Sequence, residues 1–474
     1  MKVLNSMLDS DESNLFRVVR AVCLASVALV ARAAGAQERD RPVPDAAEAY
    51  PPKVFPDRVI LTYAGDPAHT QAVTWRTDRT VANAQGQVAR ADHGPQFESQ
   101  ARSVPAATVP LITKAGRARC HTVVFEGLEP RTRYLYRVGD GTHWSEWATF
   151  QTAASGPEPF RFLYLGDAQN SIKSHWSRVI RAAFACAPDA RFIVHAGDLV
   201  NHGTDDINWG EWFQAAGWIN AMIPSLPSPG NHEYEKSREE TARDSSPSIT
   251  GHWRAQFALP QNGPKGLEET AYFVDYQGAR IISLNSNESL EKQADWLHEI
   301  LGRNPNRWTI ITFHHPIYSS AKSRDNAQIR QLWQPIFDKY HVDLVLQGHD
   351  HTYARTGLQT ASTGDSSSSA ANPGTGGTVY VNSVAGPKQY VLDRKPEQKR
   401  TAEGTQLFQV VSIEGDTLRL EARTALGELY DAFTLKKRPG LANELIEQGP
   451  GTPERHPPIP AEKPKAKATA TLRN

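Results

Sequence analysis

Two histidines separated by one residue follow a short apolar run in the second half of the chain. Residues 342–346 are typical of a buried strand, and Gly348 permits a sharp turn before His349 and His351. Imidazole nitrogens are common metal ligands, and ligands gather at the carboxyl ends of strands in open α/β sheets. The pair therefore indicates a candidate metal site whose other ligands must come from other strand ends.

Four apolar runs upstream also end in Asp, Asn or His. Their terminal motifs are Gly166-Asp167, Gly197-Asp198, Gly230-Asn231-His232-Glu233 and His314-His315-Pro316. Carboxylates and imidazoles bind divalent cations, and two cations roughly 3.5–4 Å apart can neutralise a phosphate ester and activate a water molecule. The motifs together therefore indicate a two-metal hydrolytic site.

The elements around these motifs alternate in type. Residues 158–437 contain apolar strands separated by helical segments, which indicates an α/β sheet with covered faces. The predicted helices span residues 172–185, 208–221, 291–301 and 329–340, and residues 272–276 and 280–284 form a predicted hairpin. Residues 357–377 are rich in Ser, Gly and Ala, which predicts a mobile loop beside the site.

Residues 54–153 have a different pattern, with short alternating strands separated by turns, which predicts a β-sandwich. Trp75 lies where a core tryptophan is expected. Tyr134 follows Leu128-Glu129-Pro130 as in the tyrosine corner of fibronectin type III domains, where the hydroxyl bonds to the main chain. Because no chemical motif falls in this region, we expect it to serve in packing or docking.

The composition is that of a globular protein without a charge bias. The 474 residues are 39% hydrophobic and 22% charged, and 52 basic residues balance 52 acidic ones. This balance gives no indication of nucleic acid as a partner. Cys120 and Cys186 fall in different predicted regions, and we expect both to be free thiols.

The first residues are typical of an export signal. Arg17 and Arg20 precede an apolar stretch at 21–31, and small residues at 34–36 offer a cleavage site. The stretch is too short to span a bilayer comfortably. We therefore predict a signal peptide at 1–36, a secreted or periplasmic protein without stable membrane insertion, a linker at 37–53 and a disordered tail at 438–474.

Taken together, the five strand-end motifs resemble those of the calcineurin-like metallophosphoesterases. The preceding sandwich makes the chain similar to the purple acid phosphatases, and the resemblance covers roughly residues 54–437. It implies an α/β (α+β) fold in which the N-terminal β-sandwich is followed by a four-layer αββα domain. It also implies two divalent or trivalent metal ions, of Fe, Zn or Mn.

The resemblance further implies a role for each motif residue. The implied assignments are Asp167 and His351 on the first metal, Asp198 bridging both metals, Asn231, His314 and His349 on the second metal, and His232 at the phosphate. His232 and Asp198 are thus the implied catalytic residues, with His232 stabilising or protonating the leaving oxygen. A hydroxide between the metals would attack phosphorus without a covalent enzyme intermediate.

Two positions depart from the pattern of the family. Asn201 stands where purple acid phosphatases have a tyrosine that binds ferric iron, and Gln169 stands where many family members have a histidine. The first metal site could therefore be weaker and bound by more water, or either side chain could complete it. The missing tyrosine also predicts a colourless protein.

Each motif residue also has a simpler explanation when it is taken alone. Asp167 and Asp198 could be helix N-caps, and Asn231 could be a turn residue. Tyr318 and Tyr353 could bound the substrate pocket or only pack. The Trp-rich stretch at 209–218 favours a core role over base stacking, and His315 favours a supporting role.

The sequence thus predicts an exported, acid-phosphatase-like phosphomonoesterase that acts on a small phosphate ester. A phosphodiesterase acting on cyclic or linear nucleotides is the first alternative. A non-catalytic surface-binding protein with a vestigial metal site is the second. The substitutions at Gln169 and Asn201 are what keeps that second alternative open.

Overall fold

The computed structural model describes residues 46–235, 248–360 and 377–456. The predicted signal peptide at 1–36 and residues 361–376 of the predicted loop lie outside these ranges, as do residues 457–474 of the predicted tail. A four-residue helix, α1 (Ala46–Ala49), opens the first range. Within the three ranges, no helix has the length and hydrophobicity of a membrane span.

The N-terminal region is a β-sandwich with a single-turn helix at Pro95–Gln100. Its strands are β1 (Asp57–Thr62), β2 (Gln71–Asp78), β3 (Gln85–Arg90), β4 (Arg102–Pro105), β5 (Ala107–Thr113), β6 (Gly116–Phe125), β7 (Arg133–Gly139) and β8 (Ala148–Gln151). Trp75 is buried in the core between the sheets. The Tyr134 hydroxyl accepts a hydrogen bond from the Glu129 main-chain N–H at 2.9 Å, as the corner motif predicts.

The C-terminal region contains most of the helices. They are α2 (Ser177–Cys186), α3 (Asp206–Ala216), α4 (Gly251–Gln256), α5 (Leu290–Gly302) and α6 (Ala327–Lys339), with a π-helical turn at Ile172–Trp176 and 3₁₀ turns at Gly217–Ile219 and Asn231–Glu233. The predicted helices at 172–185, 208–221, 291–301 and 329–340 therefore all exist, with ends that differ by a few residues.

The strands of this region alternate with the helices and then follow them. They are β9 (Phe160–Leu165), β10 (Ile193–His195), β11 (Ser225–Pro227), β12 (Tyr234–Glu235), β13 (Ser248–Ile249), β14 (Tyr272–Tyr276), β15 (Ala279–Ser283), β16 (Trp308–Phe313), β17 (Leu344–Gln347), β18 (Tyr353–Thr356), β19 (Val379–Asn382), β20 (Gln398–Ala402), β21 (Leu407–Glu414), β22 (Thr417–Thr424), β23 (Leu429–Arg438) and β24 (Leu441–Glu447). β14 and β15 form the predicted hairpin.

Two large sheets lie face to face between layers of helices. The order of the smaller sheet is β14-β15-β16-β17-β19-β18-β20, and its alternate residues face opposite layers. Ile310 belongs to the buried cluster that contains Leu163 of the larger sheet. Ile311 belongs to the cluster that contains Leu297 of α5 and Trp333 of α6. Since α2 packs on β21 of the larger sheet, the predicted αββα layering is confirmed.

The larger sheet runs through both regions of the chain, which the sequence did not predict. Its order is β24-β23-β22-β21-β9-β10-β11-β1-β2-β6-β5, so one sheet of the sandwich continues the central sheet. The junction is the parallel pair of β1 and β11, where Thr62 is in register with Ser225. The Tyr136 hydroxyl adds a 2.7 Å hydrogen bond to the carbonyl of Ala221. The sandwich and the α/β layers therefore share main-chain hydrogen bonds.

A buried ion cluster fastens the same junction. Asp206 of α3 accepts hydrogen bonds at 2.9 Å from both terminal nitrogens of Arg58 on β1, and at 3.0 Å from Arg76 on β2. The His252 Nε2 atom lies 3.3 Å from the same carboxylate. The Asp206 side chain is fully buried, so the cluster would be strongly destabilised by the loss of either charge.

Replacing Asp206 by Asn should therefore destabilise the fold and alter its response to acid. Burial raises the pKa of Asp206, but the hydrogen bond from His252 and the two arginine charges outweigh burial, so the pKa is lowered. Such a carboxylate stabilises the fold above its unfolded-state pKa of about 4, and the contribution is lost as pH falls through the folded-state pKa. We expect urea unfolding at pH 7 to show a loss of about 3–5 kcal/mol.

The difference between the variant and the natural chain should shrink as the pH falls below about 4, because the natural carboxylate then begins to lose its own contribution. Asp189→Asn is the matched control, since Asp189 pairs with Arg161 at the surface and such pairs contribute about 0–1 kcal/mol. An equal loss of stability in both variants would contradict the stabilising role of the buried cluster.

Two sequence predictions about the ends and the core need correction. The composition predicts a disordered tail from residue 438, but β24 pairs with β23, with Leu445 in register with Leu435. The open edge of β23 supplies main-chain partners that composition does not reveal. In the Trp-rich stretch, Trp209 and Trp212 are core residues as predicted, whereas Trp218 is 58% exposed. Cys120 and Cys186 are free thiols, as expected.

Candidate metal centre

Parallel strand pairing aligns the strand ends that precede the five motifs. In the larger sheet, His195 of β10 is in register with Leu165 of β9 and Pro227 of β11. In the smaller sheet, Phe313 of β16 is in register with Gln347 of β17. Because the motifs begin just beyond these residues, their side chains converge where the carboxyl edges of the two sheets meet.

Three of the converging residues have backbone angles in the left-handed region. The φ angles are 40° for Asp167, 50° for Asp198 and 70° for His349. Such conformations are uncommon for residues with a side chain and concentrate at functional sites. Glycine is required beside them, because a Cβ atom on Gly348 would lie 2.4 Å from the Asp167 carboxylate. The backbone is thus bent to bring carboxylate and imidazole groups together.

The first donor group consists of Asp167, Asp198 and His351, whose ligand atoms all lie within 4.8 Å of one another. The Asp167 carboxylate accepts the main-chain N–H of His349 at 2.9 and 2.8 Å. The Nδ1 atom of His351 lies 2.9 Å from the Lys388 carbonyl, which fixes Nδ1 as the protonated nitrogen. The Nε2 lone pair of His351 is therefore free to face the carboxylates.

The second donor group consists of His314, His315 and His349, whose ring nitrogens also lie within 4.8 Å of one another. The Nδ1 atom of His314 lies 2.9 Å from the carbonyl of Ala196 and donates to it. In the neutral imidazole its Nε2 atom then carries the lone pair, and this atom lies 3.1 Å from Nδ1 of His349. Both groups are buried at their centres, so they can exclude bulk water from ligand atoms.

The Nε2 atom of His314 also links the two groups and shows that the site suits cations. It lies 3.2 Å from the amide oxygen of Asn231 and 3.2 Å from Oδ2 of Asp198. With His314 neutral these atoms are all acceptors, so a proton or a metal ion among them would relieve their mutual repulsion. Burial lowers the pKa of His314, but the Asp198 charge outweighs it and raises the pKa to about 9. Without a metal, a proton on Nε2 is therefore favoured at a position that a metal ion could take.

His315 lies closer to the centre than its predicted supporting role implies. Its ring is 4.3 Å from that of His349, and its Nδ1 atom lies 2.8 Å from the hydroxyl of Ser286. Burial lowers the pKa of His315 to about 3, which keeps the imidazole neutral. Only the unusual pair of adjacent histidines could have signalled this position in the sequence.

Glu233 organises two of the loops, a role that the sequence reasoning missed. Its carboxylate accepts main-chain N–H groups from Asp198 at 2.9 Å, Leu199 at 2.9 Å, Val200 at 3.3 Å and Gly230 at 2.8 Å. The residue is fully buried. One side chain thus ties the loop after β10 to the loop after β11. Its place directly after His232 in the motif was the available signal.

His232 and Asn201 lie beside the two donor groups. The Nδ1 atom of His232 donates to the Asn201 carbonyl at 2.5 Å, and the His232 main-chain N–H donates to Asp198 at 3.0 Å. The Nε2 atom of His232 lies 3.8 Å from Asp198, and its side chain is 27% exposed. The Asn201 amide oxygen accepts the main-chain N–H of Asn170. His232 therefore faces solvent beside the two donor groups. Asn201 connects its own loop to those of Asn170 and His232.

A cationic rim borders the first donor group. The Tyr390 ring lies 4.5 Å from the ring of His351, and the Arg324 guanidinium lies 4.6 Å from the centre of the tyrosine ring. The Lys388 ammonium lies 5.2 Å from that centre. Arg324 also donates to the His349 carbonyl at 3.1 Å. These partly exposed charges were not identified from the sequence.

The two tyrosines for which the sequence left alternatives open have different surroundings. Tyr353 is fully buried, and its hydroxyl donates to Asp431 at 2.8 Å, so it packs rather than bounding a pocket. Tyr318 lines a cavity of about 660 Å³ that Arg324 also lines.

Asn287 donates a hydrogen bond to the Pro229 carbonyl at 3.1 Å and thereby holds the loop before Asn231.

Comparison with known families agrees with this architecture. The family model for the calcineurin-like phosphoesterases matches residues 160–353, and the model for the purple acid phosphatase N-terminal domain matches residues 56–152. The fold and the strand-end donors thus agree with those of a metallophosphoesterase domain. The chain therefore combines a calcineurin-like phosphoesterase domain with the N-terminal domain of the purple acid phosphatases. This architecture implies a dinuclear metal centre.

Individual relatives are distant. An uncharacterised protein of Mycobacterium tuberculosis is 28% identical over 339 residues, which are 62% of this chain and 61% of that protein. Acid phosphatase type 7 of Mus musculus is 27% identical over 333 residues, which are 64% of this chain and 71% of that protein. The chain thus aligns with less than two thirds of the length of its mycobacterial relative.

Two solved structures share the fold. A purple acid phosphatase from yellow lupin seeds has a TM-score of 0.67 and 18% identity, covering 81% of this chain and 74% of that chain. The structure of PhoD has a TM-score of 0.61 and 12% identity, covering 85% of this chain and 95% of that chain. At these identities the matches establish the fold alone.

The metal-loaded protein should be colourless. Visible charge transfer in this group requires a phenolate on ferric iron, and the corresponding position holds Asn201, whose amide oxygen already accepts a hydrogen bond. We therefore expect an absorption spectrum without a visible band after loading with iron. A strong visible band would contradict the expectation and would point to another tyrosine, such as Tyr390, as a ligand.

Proposed function

We propose that the chain is a metal-dependent phosphoesterase that hydrolyses phosphate monoesters. The observation that carries the proposal is the position of the Asp198 carboxylate, which lies within reach of both donor groups. A carboxylate in that position can bridge two cations. The proposed metals are Fe, Zn or Mn, since imidazole and carboxylate donors suit all three.

The proposed ligands follow the two donor groups. Asp167, Asp198 and His351 would hold the first cation, and Asp198, Asn231, His314 and His349 would hold the second. Two cations bound there would neutralise the phosphoryl oxygens and supply an activated water molecule. The carbonyls of Lys388 and Ala196 would keep His351 and His314 in the tautomers that offer Nε2 to a metal.

His232 is the proposed residue at the leaving oxygen. Its Nδ1–H is committed to the Asn201 carbonyl, so the exposed Nε2 atom is the one that faces a bound ester. In its protonated form Nε2 would donate to the leaving oxygen or stabilise the charge that develops there. Asn201 would position the ring and take no direct part in the chemistry.

Two observations favour monoesters over diesters. The rim charge of Lys388 would attract a dianionic monoester more strongly than a monoanionic diester, and Arg324, which also pairs with Asp350 at 3.3 Å, would add to this attraction more weakly. The relatives include proteins named acid phosphatase type 7 and purple acid phosphatase. A phosphodiesterase remains the alternative, because the missing tyrosine separates this chain from the purple acid phosphatases.

Turnover of p-nitrophenyl phosphate and of bis(p-nitrophenyl) phosphate tests this proposal. We expect kcat/KM to be at least tenfold higher for the monoester, and His232→Ala to lower kcat by about 10²–10⁴-fold. His202→Ala is the control, because His202 is exposed and its ring lies 6.3 Å from that of His232. A preference for the diester would favour the alternative. No turnover of either ester by the protein with two bound metals would favour a binding protein.

We also propose that the protein is exported and that its substrates are small phosphate esters outside the cytoplasm. The support is the pattern of residues 1–36, with basic residues before an apolar stretch and small residues after it. Sequencing the N-terminus of the protein recovered from the medium or periplasm tests the proposal. Retention of an uncleaved chain in the cytoplasm would contradict it.

A further inference from the structure

We propose that Gln169 binds the first cation through its amide oxygen, and that Asn201 does not. The assignment rests on the proposed metal centre and deepens it, because it names the donor that completes the first group. It also bears on which cation that group can hold. The contacts of the two amide side chains lead to this choice.

Gln169 is aimed at the donors of the first group. Its terminal nitrogen lies 2.9 Å from Oδ2 of Asp198 and 3.0 Å from Nε2 of His351. The residue is only 1% exposed. Its terminal oxygen is buried and has no hydrogen-bond partner among the described residues. The end of the amide that points away from the donors therefore has no partner among the described residues that would fix which of its two orientations the group adopts.

A half-turn of the amide group would present its oxygen, instead of its nitrogen, to a bound cation. The nitrogen and oxygen of a Gln side chain are nearly identical in shape, so the half-turn exchanges their positions without new contacts. The oxygen would then lie about 3 Å from Asp198 Oδ2 and His351 Nε2. Neighbouring ligand atoms around an octahedral cation with bonds of about 2.1 Å are separated by about 3 Å. The three acceptors are thus spaced as ligands of one ion.

The orientation with nitrogen inward is the one expected without a cation. Because His351 donates its Nδ1–H to Lys388, its Nε2 atom is an acceptor, and Asp198 offers a second acceptor. An amide N–H₂ group is then the end of Gln169 that can satisfy both. A cation placed among these acceptors would repel the N–H₂ group and attract the oxygen. The donor-facing end of Gln169 can therefore satisfy these acceptors as a nitrogen without a cation and bind a cation as an oxygen.

Asn201 has no comparable freedom. Its amide oxygen accepts the main-chain N–H of Asn170, and its carbonyl accepts the Nδ1–H of His232. Turning the amide toward the first donor group would leave the Asn170 N–H without this partner. Asn170 also has a left-handed φ of 69°, so the loop depends on that hydrogen bond. Asn201 is a positioning residue.

The assignment has a consequence for the choice of metal. Gln169 is a neutral donor, so the first group offers the charges of Asp167 and Asp198 and no third negative ligand. A phenolate on the same cation would add a negative charge and stabilise a trivalent ion. With a neutral amide, the first group should favour a divalent cation such as Mn²⁺ or Zn²⁺.

Calorimetric titration of the metal-free protein with Mn²⁺, with electron paramagnetic resonance of the product, tests the assignment. We expect the natural chain to bind two ions with a spin-coupled signal. Gln169→Leu removes the donor at similar volume, and we expect the affinity of one ion to fall at least tenfold and the coupled signal to be lost. Gln169→Glu keeps an oxygen donor and should retain both ions.

Gln409→Leu is the matched control. Gln409 is also fully buried, its amide nitrogen donates to Ser383, and its oxygen has no hydrogen-bond partner among the described residues. It lies on β21, so its replacement should leave both ions bound. Asn201→Ala should retain both ions as well. Thermal unfolding without metal separates effects on folding from effects on binding.

The outcomes separate the ligand assignment from the proposed function. Unchanged affinity for two ions in Gln169→Leu would overturn the assignment and leave the metal centre standing. Weakened binding in Gln169→Glu to the level of Gln169→Leu would overturn it too. A natural chain that binds fewer than two ions would overturn the metal centre, and the assignment with it.

Discussion

Asp198→Asn should abolish turnover while leaving the fold intact. The carboxylate of Asp198 lies within reach of both donor groups, and its oxygens also accept from His232 and Gln169. An Asn side chain keeps the shape but loses the negative charge, and a neutral amide oxygen is a much weaker bridging ligand for two cations. Replacing a residue that only orients a metal ligand typically lowers metal affinity or activity 10–100-fold. Loss of the bridging ligand itself should have a larger effect, and we expect kcat to fall by on the order of 10³-fold or more.

The measurement is kcat for p-nitrophenyl phosphate, taken together with metal content and the far-ultraviolet circular dichroism spectrum. Asp275→Asn is the control, since Asp275 forms a partly exposed ion pair with Arg280 at the far end of the β14–β15 hairpin. Activity within tenfold of the natural chain in Asp198→Asn, with two metals bound, would refute the bridging role. Loss of the folded spectrum would show that Asp198 also supports the loop.

Glu233→Ala should destabilise the protein and loosen the metal centre. The Glu233 carboxylate is the partner of four main-chain N–H groups in the loops after β10 and β11. A buried N–H group without a partner costs about 1–3 kcal/mol. We therefore expect the free energy of unfolding to fall by several kcal/mol, on the order of 4 or more if none of the four finds water. Since Asp198 lies in one of these loops, metal affinity should fall as well.

The measurement is chemical unfolding of the metal-free protein, followed by a metal titration under native conditions. Glu233→Gln keeps one carbonyl oxygen and should lose less stability than Glu233→Ala. Glu235→Ala is the control, because Glu235 is exposed on β12. If Glu233→Ala unfolds at the same denaturant concentration as Glu235→Ala, the four hydrogen bonds do not organise the site.

The site could be predicted from sequence because its ligands stand at strand ends. Parallel strands in register bring their carboxyl ends to one edge of the sheet. An Asp or His just beyond each apolar run is therefore expected at that edge. Asp167, Asp198, His314 and the pair His349 and His351 were all found in this way, and the structure brings them together.

Other features could not be predicted because they depend on contacts between distant segments. The junction of the sandwich with the central sheet rests on one parallel pair, Thr62 with Ser225, which leaves no local pattern. β24 is ordered because β23 offers it an open edge. The sequence does not distinguish Glu233 from other acidic residues, because its four main-chain N–H partners become apparent only in the structure. The cationic rim around Tyr390 likewise joins residues far apart in the chain.

Anomalous diffraction from crystals of the metal-loaded protein would locate the cations themselves. We expect two peaks roughly 3.5–4 Å apart, with the Asp198 carboxylate between them. One peak should lie beside Asp167 and His351, and the other beside His314 and His349. A single peak, or a pair of peaks away from these side chains, would rule out the two-metal centre.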